Sequence, residues 1–327
     1  MRSPTPSPPE DVPEGVPDEF DVIARLMRPL AASEALDLMD DAAVITSRPG
    51  FDLVVTKDAI VEGVHFLPGT PLDLVARKLL RVNLSDIAAK GAVPYGYLLA
   101  CAWPDSIGWS GREAFAKGLA EDQAVFGLKL FGGDTVATPG PLVFSATLFG
   151  WVKSGQMVKR SGAQAGDLVQ VSGPIGDGYL GLQAARGDLD HLDAPIRAAL
   201  TAHYQTPQPR LDIALAGAHA AADVSDGLLA DAGHIASASG VAMEIALEAV
   251  PLSTAGQAWV SEGDDRQARL GALAAGGDDY QIVATGPEPL PGFTVIGRVI
   301  AGEGVCVTLG GAPVLLSQTG YRHGNLG

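Results

Sequence analysis

The stretch DLVQVSGPIGDGYLGLQAAR, residues 167–186, combines the signals of a strand, a glycine turn and a helix. Residues 168–172 form a short apolar run that predicts a buried strand, and residues 178–186 have the composition of a helix. Between them, residues 176–181 spell G-x-G-x-x-G. A strand that passes through a glycine turn directly into a helix is typical of α/β chains.

The glycines of this turn allow two interpretations. In dinucleotide-binding folds the same spacing lets the backbone approach a pyrophosphate, and an acidic residue about 20 positions further on binds the ribose. Here Asp188 and Asp190 follow too soon for that role. The alternative is a tight turn that lets helix and strand pack closely. The sequence favours this second interpretation over an NAD-dependent enzyme.

The composition limits the classes of partner. The chain has 327 residues, 47% of them hydrophobic, and its formal net charge is −16, so we expect two folded domains. An acidic surface of this kind repels nucleic acid and anionic membranes, and we predict neither as a partner. Phosphate chemistry on such a chain requires metal ions or a few focused basic side chains.

The cysteines and the N-terminus predict a cytoplasmic location. Cys101 and Cys306 form no disulfide framework and no metal-ligand spacing, which fits a reducing compartment. The N-terminus lacks the apolar segment of a signal peptide. Residues 1–18 are rich in proline and have little to bury, so we predict a disordered tail.

The rest of the chain predicts an α/β (α+β) fold with two domains. We place the N-terminal domain at residues 19–152 and the C-terminal domain at residues 153–327, with the polar segment 153–166 as the linker. Predicted elements include a strand at 42–46 and a helix at 209–218. The strand order is not readable from these patterns.

A long helix is predicted for residues 71–90, between Pro71 and Gly91. Asp86 lies on an otherwise apolar part of it, with Asn83 one turn earlier. A carboxylate in such a place costs several kcal/mol unless it is paired or metal-bound. A salt bridge to Lys90 or Arg81 is the structural alternative.

Aspartates recur where predicted strands begin or end. The set comprises Asp40, Asp41, Asp58, Asp134, Asp223, Asp226, Asp278 and Asp279. Strand ends converge in α/β folds, so these carboxylates would repel one another unless cations hold them together. Oxygen ligands of this kind suit Mg²⁺. As a structural alternative, aspartate is also a common turn residue, and Asp226 suits the N-cap of the following helix.

Glycine and basic residues add weaker signals for phosphate binding. Residues 132–135, GGDT, predict a tight turn that brings backbone close to a phosphate. Arg160, in the glycine-containing linker, suits a phosphate clamp or an ordinary solvated position. His65 among apolar residues and Tyr321 near the C-terminus allow a structural or a pocket role. The chain has no P-loop motif.

Taken in order, these motifs resemble the thiamine-monophosphate kinases of the aminoimidazole-ribonucleotide synthetase superfamily. The resemblance runs from about residue 20 to the C-terminus. It is carried by the following segments: MDDAAVI (39–45), TKDAIVEGVHF (56–66), NLSDIAAKGA (83–92), FGGDT (131–135), RSGAQAGDLVQVSG (160–173), DVSDGL (223–228), GGDDY (276–280) and GYRH (320–323).

The resemblance implies ATP-dependent phosphorylation of thiamine monophosphate by a homodimer that pairs its N-terminal sheets and holds several Mg²⁺ ions. It leaves a monovalent-cation requirement open. The metal positions of the family fall on Asp41, Thr56, Lys57 (through its backbone), Asp58, Asp86, Asp134, Asp223 and Asp226. Nucleotide positions fall on Gly133, Asp134, Arg160 and Ser225, and thiamine positions on His65, Asp278 and Tyr321. Asp86, Asp134, Arg160 and Asp223 are the residues expected to assist the transfer itself.

The chain departs from the usual family pattern at four positions: Met39 replaces a glycine, Lys57 a threonine, Lys90 a methionine and Asp278 a glutamate. Two rival functions remain beside the kinase and the NAD enzyme. One is another ATP-dependent synthetase of the superfamily, although the cysteines that some of those enzymes use are missing. The other is a nucleotide sensor without catalytic activity, which the intact aspartate set disfavours.

Overall fold

Within residues 18–316 and 318–321, which the computed structural model describes, the chain forms two β-sheets with helices. The predicted tail, apart from its last residue, and Arg322 and His323 of the GYRH motif lie outside the described residues. The α/β class predicted from the sequence is confirmed. In the described part of the chain, no helix is long and apolar enough to cross a membrane.

The first sheet contains four strands in the order β1-β4-β2-β3. In chain order, the elements of this half are α1 (Glu19–Val22), β1 (Phe51–Val61), α2 (Leu72–Ala89), β2 (Val93–Trp103), α3 (Trp109–Phe126), β3 (Leu130–Ala137) and β4 (Val143–Lys153). Strands β2 and β3 are parallel. Short π- and 3₁₀-helical turns follow α1 as far as Leu30 and again at Ser33–Leu38.

The second sheet contains seven strands in the order β11-β10-β7-β9-β5-β8-β6. Its elements are β5 (Leu168–Val171), α4 (Asp177–Arg186), α5 (Ala194–Gln205), β6 (Ala220–Asp223), α6 (Leu228–Ser239), β7 (Ala242–Ala246), α7 (Thr254–Ser261), α8 (Arg266–Ala275), β8 (Ile282–Gly286), β9 (Thr294–Ile300), β10 (Gly304–Leu309) and β11 (Ala312–Pro313). Strand β5 is antiparallel to both of its neighbours, whereas β7 and β10 are parallel.

Two compact units emerge from the contacts within the chain. One comprises residues up to Thr46 with Ala59–Arg77 and Gly96–Ala146; the other comprises Ser47–Asp58, Lys78–Tyr95 and the chain from Thr147 onward. The division passes through β1, α2, β2 and β4 rather than between residues 152 and 153. The domain boundary taken from the sequence stays a prediction.

Helix α2 ends as the sequence predicts. Gly91 adopts φ +66°, a left-handed conformation that favours glycine, and the Ala92 N–H donates to the Ile87 carbonyl at 3.1 Å. Its last turn, Ala88 and Ala89, belongs to a small apolar cluster with Ile282 of β8. This end of α2 therefore lies against the second sheet.

Three predicted elements are wrong. Residues 42–46 form no strand. Val44, an apolar residue in the middle of the predicted strand, is 58% exposed. Asp40 and Asp41 therefore do not precede a strand. The predicted helix at 209–218 consists of turns, and the helix of this region is α5, which begins with a proline in its first turn.

The third error concerns residues 132–135, which lie inside β3 rather than in a tight turn. Gly133 faces the β2 backbone so closely that a Cβ would lie 1.8 Å from the Leu99 carbonyl oxygen. The glycine thus permits a close approach of two strands. Asp58, predicted to follow a strand, likewise lies within β1.

Candidate active site

Strand β1 presents Thr56 and Asp58 on one face and Lys57 on the other. Burial alternates along the strand: Val54 and Ile60 are buried on the face of Thr56 and Asp58, while Lys57 is exposed. The period of two residues in a strand imposes this division. The Lys57 side chain therefore starts on the opposite face from Asp58, although its charge still acts to lower the pKa of Asp58.

Helix α2 places Asn83 and Asp86 against the face of β1 that carries Thr56 and Asp58. The Thr56 hydroxyl donates to Asp86 Oδ2 at 2.5 Å, and the Asp58 N–H donates to Asn83 Oδ1 at 3.0 Å. Asn83 is itself buried and donates to the Leu79 carbonyl one turn back at 2.9 Å. Residues three apart on a helix share a face, so β1 and α2 hold these two side chains in register.

Asp223 ends strand β6 beside them and is 4% exposed. Burial raises the pKa of Asp223 well above its ordinary value, and the charges of Asp86, Asp231 and Asp58 raise it further. The structure thus brings carboxylates from β1, α2 and β6 together.

The same repulsion is seen from Asp58. Burial raises the pKa of Asp58 to about 6, and Asp86 and Asp226 add to the effect, against a smaller opposite influence of Lys57. We call Asp58, Asp86, Asp223 and Asp226 the acid cluster. Such a group of oxygen ligands fits Mg²⁺, because a cation removes the repulsion that each carboxylate imposes on the others.

Two basic residues lie close to the acid cluster. Lys90 donates from Nζ to the carbonyl of Ala221 on β6 at 2.8 Å. Burial and the charge of Arg160 lower the pKa of Lys90, whereas Asp223 and Asp86 favour its charged form. Arg160 is exposed, and its charge lowers the pKa of Asp231.

Lys90 and Arg81, the salt-bridge partners considered for Asp86, both donate to backbone carbonyls, while the charge of Asp86 favours the charged form of Lys90. Arg81 donates to the carbonyls of Thr206 and Pro207 at 3.2 and 3.1 Å. Asp86 accepts from the Thr56 hydroxyl.

The turn after β6 is held by Asp231, which the sequence analysis did not single out. Its Oδ2 accepts from the N–H groups of Ser225 and Asp226 at 3.0 and 3.1 Å, and burial raises the pKa of Asp231 to about 7. Asp226 is not the N-cap of α6, because Gly227 occupies that position. A carboxylate in the first turn of a helix was the available signal.

Asp226 also belongs to a second acidic group. One ligand atom each of Asp226, Asp231 and His234 lies within 4.8 Å of the other two. Since one carboxylate oxygen of Asp231 already accepts two backbone hydrogen bonds, this group is explained by the structure of the turn. Tyr321 contacts the same turn, where its N–H donates to the Asp226 carbonyl at 2.8 Å.

Residues 276–280, GGDDY, join the turn after β6 to the opening glycine motif. The Asp278 N–H donates to the Ser225 carbonyl at 2.9 Å, and Gly277 is close enough that a Cβ would lie 2.5 Å from the same oxygen. The Asp279 carboxylate accepts from the N–H groups of Gly176 and Gly178 at 2.8 and 2.9 Å.

The Asp279 carboxylate decides between the two interpretations of the glycine motif. In a dinucleotide site these backbone N–H groups, at the N-terminus of a helix, would bind the pyrophosphate. Here a carboxylate of the chain itself occupies them. The glycines of residues 176–181 therefore serve packing, as the sequence favoured.

Asp278 has partners for both of its carboxylate oxygens. Tyr280 donates its hydroxyl to Oδ1 at 2.9 Å, and Lys78 Nζ lies 3.4 Å from Oδ2. Lys78 and Tyr280 were missed at the sequence level. The available signal was a lysine among the apolar positions of α2, a costly place for a charge that has no partner.

Four predicted positions lie in the other compact unit. His65 accepts at Nδ1 from the Val61 N–H at 3.1 Å, which leaves its proton on Nε2. Asp134 is exposed on β3 and its Oδ1 accepts from the Thr135 N–H at 2.9 Å. Gly133 precedes it on the strand, and Asp41 is exposed in a bend.

The chain matches two family models along most of its length. Residues 39–152 match the AIR synthase related protein, N-terminal domain, and residues 164–310 match the corresponding C-terminal domain. A thiamine-monophosphate kinase of Caulobacter vibrioides is 51% identical over 325 residues, which cover 94% of this chain and 91% of that protein. This chain belongs to the thiamine-monophosphate kinase family.

Solved structures agree with this family assignment. The thiamine-monophosphate kinase of Stenotrophomonas maltophilia K279a is 36% identical with a TM-score of 0.76, covering 90% of this chain and 98% of its own. AaThiL complexed with AMPPCP and TMP is 31% identical with a TM-score of 0.74, covering 93% and 97% of the two chains.

Departures from the thiamine-monophosphate kinase pattern acquire a structural meaning here. Lys57 has an ammonium where the family has a threonine hydroxyl, and its charge acts to lower the pKa of Asp58. Lys90 adds a cation beside Asp86 and Asp223. Asp278, shorter than the common glutamate, is held by Lys78 and Tyr280. Nothing in the structure explains Met39.

Proposed function

We propose that this chain transfers the γ-phosphoryl group of ATP to thiamine monophosphate and forms thiamine diphosphate. The observation that carries the proposal is the acid cluster, in which the charges of Asp86 and Asp226 raise the pKa of Asp58, and those of Asp86 and Asp58 raise the pKa of Asp223. A chain that keeps mutually repelling carboxylates together needs a cation, and phosphoryl transfer uses metal ions at such sites.

The residues proposed to hold Mg²⁺ all offer oxygen atoms. They are Thr56, Asp58, Asp86, Asp223 and Asp226, together with Asp41, Asp134 and the backbone of Lys57. Carboxylate and hydroxyl oxygens are the ligands that Mg²⁺ prefers. Bound there, Mg²⁺ would offset negative charge on the phosphates and favour an in-line transfer. A monovalent-cation requirement remains a question for experiment.

ATP is the proposed phosphoryl donor, and the ligands of AaThiL support it. AMPPCP is an ATP analogue, and AaThiL was solved complexed with AMPPCP and TMP. We assign nucleotide contacts to Gly133, Asp134, Arg160 and Ser225. Arg160 is exposed and its charge lowers the pKa of the neighbouring Asp231, so it can stabilise charge on the transferred phosphoryl group.

The acceptor phosphate itself is the proposed nucleophile. A phosphomonoester has a second pKa near 6 and is mostly dianionic at neutral pH, so the reaction needs no general base. The protein instead has to bring two anions together, which explains carboxylates, a metal and an arginine rather than a serine, cysteine or histidine nucleophile. Asp86, Asp134, Arg160 and Asp223 carry this task.

Thiamine contacts are assigned to His65, Asp278 and Tyr321. Asp278 lies on the loop that packs against the turn of Ser225 and Asp226, which supports a place for the acceptor next to the acid cluster. The Tyr321 backbone is bonded to that same turn and its side chain is 52% exposed, as a residue that covers a bound ligand requires.

A homodimer is proposed through β1. Phe51, Leu53 and Val55 alternate along it on the exposed side and are 37%, 37% and 54% exposed. Apolar side chains in a row on an exposed strand face are typical of an interface. A cytoplasmic location stays a prediction.

Phosphorus NMR tests the reaction. Purified protein is incubated with ATP, MgCl₂ and thiamine monophosphate, with one control that lacks the thiamine substrate and one that contains EDTA. Thiamine diphosphate and ADP should appear together and only with Mg²⁺. Turnover with a different acceptor but not with thiamine monophosphate would overturn the substrate assignment. Absence of any turnover would favour a nucleotide sensor.

A further inference from the structure

We propose that Lys78 is a positioning residue that fixes the Asp278 carboxylate, so that Asp278 can accept hydrogen bonds from the aminopyrimidine ring of the acceptor. The inference rests on the proposed function, because it concerns how that substrate is recognised. It assigns a role to a residue of α2 that belongs neither to the acid cluster nor to the positions carried by the family resemblance.

Lys78 is enclosed by two partners that suit an ammonium group. Its side chain is 2% exposed, Nζ lies 3.4 Å from Asp278 Oδ2, and it stands 3.7 Å from the centre of the Tyr204 ring. The face of an aromatic ring attracts a cation, and the carboxylate neutralises it. Lys78 is thereby confined to one orientation, with its charge directed at Asp278.

Burial lowers the pKa of Lys78, while the charge of Asp278 and its hydrogen bond raise it. The carboxylate therefore favours the charged form of the amine. This electrostatic effect agrees with the geometry, in which the Asp278 carboxylate is the anion that contacts the Lys78 ammonium.

Asp278 is fixed from both sides as well. Its second oxygen accepts from the Tyr280 hydroxyl at 2.9 Å, and its backbone N–H donates to the Ser225 carbonyl at 2.9 Å. Its φ of +67° is uncommon for a residue other than glycine, although aspartate tolerates it better than most. The carboxylate thus has one position relative to the turn that carries Ser225 and Asp226.

The pair is not explained by stability alone. A buried ion pair is often no more stabilising than apolar side chains of similar volume, and a methionine at position 78 would fill the same space. Asp278 also remains 30% exposed, so part of its carboxylate stays accessible. A carboxylate that is immobilised on two sides and open on a third is suited to accept hydrogen bonds from a ligand.

An aminopyrimidine offers the matching chemistry. Its exocyclic amino group donates hydrogen bonds, and a fixed carboxylate accepts them with a charge-assisted gain. Without Lys78, Asp278 would lose one of the contacts that orient it. The expected loss is therefore in binding of the acceptor rather than in the transfer of phosphate.

Steady-state kinetics of four proteins test the inference: the wild type, Lys78→Met, Asp278→Asn and the double variant. Lys78→Met should raise the KM for thiamine monophosphate at least about tenfold and change the KM for ATP and kcat by less than about threefold. In the Asp278→Asn background the same substitution should have little further effect, because Lys78 acts through Asp278. Lys117→Met, whose side chain is 70% exposed on α3, is the matched control.

The outcomes separate the inference from the proposed function. A Lys78→Met protein with a lower melting temperature but an unchanged KM for thiamine monophosphate would show a structural role only and overturn the inference. Equal effects of Lys78→Met in both backgrounds would also overturn it. If Lys78→Met does not fold, Lys78→Gln replaces it in the cycle with the same expected and contradicting results. A wild type that does not phosphorylate thiamine monophosphate would overturn the proposed function, and the inference with it.

Discussion

Asp58 experiences the repulsion within the acid cluster directly. Its pKa is raised from 3.8 to about 6, first by burial and then by Asp86 and Asp226. The folded protein therefore holds this proton more tightly than the unfolded chain does. The sign follows from linkage: this carboxyl lowers the stability of the metal-free protein progressively as pH rises from about 4 to about 6.

Asp58→Asn should therefore stabilise the metal-free protein. We expect a gain of about 2 kcal/mol in the free energy of unfolding above pH 6, which shrinks as pH falls towards 4, since the amide resembles the protonated acid. Urea unfolding in EDTA between pH 4 and pH 8 measures it. With Mg²⁺ in excess the gain should vanish, because only the wild type keeps the ligand. A gain that is the same at every pH would contradict the assignment.

Lys90 adds a fixed cation next to the acid cluster. Its ammonium is bonded to the Ala221 carbonyl, and Asp223 and Asp86 favour its charge. Lys90→Met should leave the cluster one unit more negative and lower the Mg²⁺ concentration at the midpoint of thermal stabilisation several-fold. Melting temperatures at increasing MgCl₂ concentration test this. Lys117→Met serves as control, and an unchanged midpoint in Lys90→Met would show that the amine is neutral.

At the scale of elements, the opening glycine motif connects α4 to the loop of Asp278. A Cβ on Gly178 would lie 2.3 Å from the Asp278 carbonyl carbon. Gly178→Ala should therefore destabilise the protein by roughly 2–4 kcal/mol and raise the KM for thiamine monophosphate, because the loop has to move. Thermal melts and kinetics measure both effects.

Gly233→Ala in α6 is the matched control for Gly178→Ala. Its nearest neighbour, Val305 Cγ2, would lie 3.7 Å from the new Cβ, an ordinary contact. Alanine in a helix interior is favoured over glycine by up to about 1 kcal/mol, so this variant should be as stable as the wild type or more so. Equal behaviour of the two variants would contradict the packing role of Gly178.

The long periodic helix α2 and the short apolar run of β5 were predictable from the sequence, whereas the structure of residues 42–46 and 132–135 was not. Helix α2 combines an apolar spacing of many turns with a proline before it and a glycine after it, and both ends agree with the structure. Residues 42–46 have only a few alternating side chains, and so short a pattern does not show whether a partner strand is available. The pattern of residues 132–135 fits either a turn or a close pair of strands. The choice depends on the neighbouring strand β2, which the local sequence does not reveal.

The site was predictable where one residue carries the signal. Asp86 in an apolar helix and Asp223 at a strand end were recognised, and the structure brings them together. Lys78 was missed because its partner Asp278 lies 200 positions away in the chain. Asp231 and Tyr280 bond to residues within six positions of themselves, but a local pattern does not show how the turn around them folds.

At the scale of the molecule, the exposed side of β1 predicts self-association. Val55 is 54% exposed on this strand. Val55→Glu places a charge in the proposed interface and should convert a dimer into a monomer, because an unpaired charge buried at an interface is costly. Light scattering after size exclusion measures the mass. Val125→Glu, at a position 66% exposed on α3, should remain dimeric, and a dimeric Val55→Glu protein would exclude this face.

The central claim is that the carboxylates of the acid cluster hold the metal that supports phosphoryl transfer. The most direct measurement is the turnover of thiamine monophosphate by Asp223→Asn and Asp86→Asn beside the wild type, with the exposed Asp188→Asn as control. We predict a loss of at least about 100-fold in kcat for the two cluster variants, with an unchanged circular dichroism spectrum and mass, and full activity for the control. Wild-type turnover in folded Asp223→Asn and Asp86→Asn proteins would contradict the account.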